Sequence, residues 1–229
     1  MTALDESLAW LRAQGPAMEA LLGALVETTS YTADRAGVNA AGALLRAAVP
    51  LTCEVVEGER YGDHLLFHNG RRAGDPGVVI VGHHDTVFPR EVFAGWHTEA
   101  RHGFGPGCFD MKGGLVVIAF ALKALETSGL LEKVPLSFVS VADEEVGSPE
   151  SRAALAHLAR GADAALVFEA GRAGDAIITR RKGTATVVAH ARARPRTRAT
   201  RSEARARWWR WRGSSSRPRR STKRRARSR

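Results

Sequence analysis

A small set of residues in this 229-residue chain has the types that do acid–base and metal chemistry, and each sits where an apolar segment stops. The segment "GVVIVGHHD" (77–85) ends in His83, His84 and Asp85. "VPLSFVSVADEE" (134–145) ends in Asp143, Glu144 and Glu145, and "ADAALVFEAG" (162–171) carries Glu169 near its end. Asp110 closes the Gly-rich stretch "HGFGPGCFD", immediately before the apolar "MKGGLVVI". Carboxylates gathered in one place repel one another and need a cation to hold them. A His with Asp and Glu suits Zn²⁺, and a carboxylate shared by two ions makes a two-metal site. Each residue alone has a plainer reading: Asp110 as the cap of a helix from 113, Glu144 and Glu145 as solvated loop acids. Four such places together favour the site. His84 falls on the opposite strand face from His83, which makes it a packed or exposed His rather than a ligand. Cys108 reads as a small residue tolerated in a Gly-rich loop, with thiol ligation as the alternative, and His102 has no pattern behind it.

For these residues to meet, strand ends must gather. Helical spacing of Leu, Ala and Val predicts helices over 2–13, 17–28, 37–48, 113–127 and 149–159. "CEVVEG" and "HLLFHN" read as paired strands joined by a turn around Gly62. The three apolar strands that end in charge alternate with helices. This pattern predicts an α/β fold, a three-layer mixed sheet with helices on both faces. In such sheets ligands collect at the carboxyl ends of the strands.

Charge is unevenly spread. The formal net charge is +10, yet residues 191–229 hold 16 Arg and Lys223 against the single acid Glu203, which is +16 and leaves −6 for residues 1–190. The body is therefore a mildly acidic globular protein, and no specific nucleic-acid partner follows from the total. Two cysteines cannot make a disulfide framework. The start "MTALDESLAW" lacks the basic then apolar pattern of a signal peptide, and "GGLVVIAFALKAL" is too short to span a bilayer. These features lead to the expectation of a cytoplasmic location and no membrane partner.

The four landmarks "GHHDTVFP" (82–89), "GPGCFDMKGG" (105–114), "DEEVGS" (143–148) and "FEAG" (168–171) together resemble a known family. It comprises the di-zinc metallopeptidases that include glutamate carboxypeptidase, aminoacylase, acetylornithine deacetylase and succinyl-diaminopimelate desuccinylase. The resemblance covers roughly residues 15–190, and "EEVGSPESR" is most similar to the glutamate carboxypeptidase branch. It implies zinc as cofactor, two ions bridged by Asp110. His83 and Glu169 would complete the first ion's ligands, Glu145 would bind the second, and Asp85 would hold the His83 imidazole. Glu144 would be the general base, taking a proton from the attacking water and passing it to the leaving amine. The implied substrate is a small peptide or an N-acyl amino acid, and the implied assembly a homodimer formed through a lid domain.

The resemblance divides the chain into the N-terminal part of a catalytic domain (1–180), the start of a lid or dimerisation domain (181–193) and an Arg/Trp-rich tail (194–229) expected to be disordered. With GC-rich codons and a shifted frame, "RTRATR" becomes His-Ala-Gly-Asn-Ala and "RWWRWR" becomes Leu-Val-Ala-Leu-Ala. Those strings resemble the family's lid motif and the helix after it, so an out-of-frame tail is expected. The expectation that follows is a zinc-dependent amide hydrolase weakened in this chain, holding less than two equivalents of zinc. Its turnover would not exceed that of a Glu144→Ala control. The alternative is an inactive fragment or a metal-binding protein whose tail binds polyanions non-specifically.

Overall fold

The computed structural model describes residues 2–92, 95–100 and 102–180. The expected lid segment and the basic tail, from residue 181 on, lie outside the described residues.

Three helices open the chain. α1 (Ala3–Arg12) starts from a capping box in which the Thr2 hydroxyl accepts from Asp5 N and the Asp5 carboxylate accepts from Thr2 N. α2 (Gly15–Glu27) has Pro16 in its first turn, and α3 (Arg35–Ala48) is capped by Asp34 accepting from Gly37 N at 3.0 Å. The strands follow: β1 (Thr52–Val56), β2 (His64–His68), β3 (Val78–His83), then the short β4 (His97–Glu99) and β5 (His102–Phe104). A π-type turn, Cys108–Lys112, leads into α4 (Gly113–Thr127). β6 (Leu136–Val141), α5 (Arg152–Leu158) and β7 (Ala164–Val167) complete the described elements.

The main sheet has the order β1-β2-β6-β3-β7. β1, β2 and β6 pair antiparallel, while β3 pairs parallel with both β6 and β7, so the sheet is mixed. Parallel pairing of β3 brings the ends of β6 and β7 to one edge. His83 pairs with Val141, and Val81 pairs with Val167, which sets Glu169 level with His83.

The core lies between the middle of this sheet and the helices. Every residue of β6 is buried, and the rings of Phe67 and Phe138 stack at 5.2 Å. Leu115, Ile118, Ala119 and Leu122 of α4 and Leu25 and Leu45 of α2 and α3 share the same cluster. Burying a Leu or Phe side chain stabilises by about 1.5–3 kcal/mol, so this cluster is what holds the strand ends in register.

Two expectations need correction. The segment 162–171 does not become a strand covered on both faces. Among the described residues β7 is a four-residue edge strand, with Leu166 and Val167 exposed by 50% and 63%, and α5 buries none of its residues. An apolar run gives no information about whether its sheet neighbour exists. The stretch from His102 is also not loop throughout. His102–Phe104 pairs antiparallel with His97–Glu99, a hairpin too short to show alternation in sequence.

Candidate metal centre

Four side chains converge at the carboxyl end of the parallel strands. His83 Nε2 lies 3.3 Å from Asp110 Oδ1, 3.8 Å from Glu169 Oε2 and 3.9 Å from Glu144 Oε2. Ligand atoms of His83, Asp110 and Glu169 all fall within 4.8 Å of one another. Glu145 lies outside this tight group; its place beside Glu144 puts it on the same turn.

Each element delivers its residue for a local reason. His83 is the last residue of β3, buried, with its backbone N–H directed at the sulfur of Met111 at 3.1 Å. Asp110 sits in the π-type turn with an extended backbone (φ −127°, ψ 101°), and the peptide bond to Met111 is cis. It does not cap α4: the N-cap is Lys112, and no side chain caps it. Lys112 has its own task. Its buried ammonium donates to the carbonyls of Leu25 (2.7 Å) and Thr28 (3.0 Å), satisfying the C-terminal end of α2 and tying the turn to it. Burial pulls the Lys112 pKa down to about 8.

Asp85 is the node of the site. It is fully buried, and one of its carboxylate oxygens lies 3.3 Å from His83 Nδ1. The hydrogen bond of that ring nitrogen runs to the Asp85 main-chain carbonyl at 3.1 Å. Because a carbonyl only accepts, Nδ1 carries the proton in the neutral ring, and Nε2 offers its lone pair to the carboxylates. The Asp85 carboxylate also accepts from the Thr32 hydroxyl at 2.8 Å and from the backbone N–H of both Glu144 and Glu145 at 3.3 Å. Its pKa is lowered: burial opposes this, but the His83 ring beside the carboxylate and the Thr32 hydroxyl outweigh it.

The electrostatics are those of a cation site. Burial alone would keep His83 neutral, yet the Asp85, Glu169 and Glu144 carboxylates raise its pKa to about 11. Burial, together with Asp110, Asp85 and Glu144 and against His83, pushes Glu145 up to about 7. Glu144 is raised as well, by burial first and then by Glu169, Asp85 and Asp110, against His83. Among the described residues, His83 Nε2 and Asp110 Oδ1 are buried without a hydrogen-bond partner. Two buried acceptors 3.3 Å apart, facing further carboxylates, are a donor set that fits a divalent ion.

The other candidates stay outside the cluster. His84 is buried on the other face, bonded through Nδ1 to Ser140 Oγ at 2.9 Å, and burial lowers its pKa to about 4. Cys108 is half-buried with its thiol near Gly103 O, and His102 is exposed on β5. Thr32 left no trace in the sequence, because a lone Thr ahead of a helix carries no pattern. Asp143 was visible only as another strand-end charge.

A profile of Peptidase family M20/M25/M40 matches residues 79–207. The chain is 32% identical over 167 residues to carboxypeptidase G2 of Pseudomonas sp. (strain RS-16), covering 70% of this chain and 40% of that protein. It is 30% identical over 147 residues to acetylornithine deacetylase of Salmonella arizonae, covering 56% of this chain and 36% of that protein. The fold resembles that of human carnosine dipeptidase 1, with a TM-score of 0.59, 16% identity, and coverage of 75% of this chain and 42% of that one. The chain thus spans about two fifths of the length of the curated relatives it matches.

Proposed function

Since the chain belongs to peptidase family M20/M25/M40, we propose that its strand-end cluster holds two zinc ions and serves the hydrolysis of an amide bond in a small peptide or N-acyl amino acid. The observation that carries this reading is His83 Nε2 facing the Asp110, Glu169 and Glu144 carboxylates at 3.3–3.9 Å. His83, Asp110 and Glu169 would hold the first ion, and Asp110 with Glu145 the second. A bound divalent ion lowers the pKa of water towards neutrality and polarises the scissile carbonyl. Glu144 supplies the proton transfer. Its carboxylate takes a proton from the attacking water as the C–O bond forms, then gives it to the amine nitrogen as the C–N bond breaks. Its raised pKa suits a group that must both accept and release that proton.

Among the described residues the second ion has two donors, one fewer than a catalytic zinc usually takes from protein. We therefore expect it to be held more weakly than the first, and turnover in this chain to be low. The test is Glu144→Ala, with zinc measured by atomic absorption and release of amino acid from C-terminal glutamyl peptides and N-acyl amino acids. Zinc content should equal the wild type's while any turnover falls to background. Loss of zinc in that variant would make Glu144 a ligand and overturn its role as base. Turnover clearly above background that persists in Glu144→Ala would overturn the mechanism.

A further inference from the structure

We propose that Asp143 and Ser151 are positioning residues, which fix the turn bearing Glu144 and Glu145 and so set the second ion's ligand apart from the base. This rests on the two-ion reading above.

Asp143 is fully buried, and its carboxylate is spent on one task. One oxygen accepts from the backbone N–H of Glu150 (2.7 Å) and Ser151 (3.1 Å), and the other accepts from the Ser151 hydroxyl (2.5 Å). These bonds close residues 143–151 into a loop whose two ends meet. Asp85 grips the same turn from its other side through the Glu144 and Glu145 N–H groups. Such a double hold is needed because the turn Glu144–Val146 buries none of its residues, and Val146 is 49% exposed. Packing cannot hold it, so hydrogen bonds must.

The first ion's donors lie on other elements, and Asp85 links His83 to this turn. His83 ends β3, Asp110 sits in the π-type turn, and Glu169 follows β7. Releasing Asp143 therefore displaces Glu144 and Glu145 directly and His83 only through Asp85, which is an asymmetry an experiment can read.

Cobalt(II) titration of the full chain, followed by visible absorption and by chelator competition, should resolve a tight and a weaker step. Ser151→Ala should weaken the second step by about 10–100-fold, the usual effect of losing a residue that orients a ligand, and leave the first unchanged. Ser151→Thr keeps the hydroxyl and should restore the second step. Asp143→Asn turns an amide N–H towards donors and should weaken it at least as much. If that variant does not fold, the Ser151 pair decides alone. Both steps weakening together in Ser151→Ala would mark a purely structural role and overturn the proposal, as would two unchanged steps or failure of Ser151→Thr to restore binding. A wild-type chain that takes a single ion would overturn the two-ion reading, and this inference with it.

Discussion

The proton on His83 is placed by its neighbour's main chain, not by its neighbour's charge. The Asp85 carbonyl fixes Nδ1–H, while the Asp85 carboxylate adds the field that makes Nε2 a strong donor. Asp85→Asn separates the two effects, since the carbonyl remains and the charge goes. Zinc affinity by chelator competition should fall by about 10–100-fold. An unchanged affinity would show that the carbonyl alone orients the ring. The raised pKa of His83 has the same origin as its fitness for a metal: the negative surroundings that would retain a proton on Nε2 would hold a cation there instead.

The π-type turn depends on Gly107, which lies in the left-handed region at φ 72°. A Cβ there would also stand 2.5 Å from the Thr86 side chain. Gly147, at φ 88°, closes the Glu144–Glu145 turn in the same region, but a Cβ there would meet nothing within 4 Å. The two glycines should therefore respond differently to alanine. Gly147→Ala should lose about 1–2 kcal/mol, the left-handed strain alone. Gly107→Ala should lose more in urea unfolding and should also weaken the first ion, because Asp110 rides on that turn. Equal losses in the two variants would mean that the Thr86 contact relaxes freely.

Across the molecule, order falls away from the middle of the sheet towards β7. β6 is wholly buried, whereas β7, which among the described residues pairs with β3 alone, exposes all four of its residues. Exposed Leu166 and Val167 on a strand whose outer edge is unpaired among the described residues form a surface that invites self-association. Leu166→Lys should reduce the concentration dependence of the sedimentation coefficient. An unaltered dependence would place the association elsewhere. No described helix is long and apolar enough to cross a membrane.

Local pattern determined the elements and the order of the chemistry along the chain. The helix expected over 113–127 has those bounds in the structure, and α1 to α3 lie within two residues of their expected ends, because helical periodicity and the Pro, Gly and Asp signals that stop it are short-range. The same locality made His83, Asp110, Glu144 and Glu169 legible as strand-end or loop-end charges. What each one touches was decided by register. Asp110 could have been a cap, and only the turn that Lys112 ties to α2 and Met111 sets against the His83 N–H brought it to His83, which the parallel pairing of β3 and β7 sets level with Glu169. Thr32 bonds to Asp85 across 53 residues and Lys112 to α2 across more than 80, distances over which no sequence pattern persists. Burial of β7 was likewise beyond reach, since an apolar strand is covered only when another part of the fold comes to lie on it.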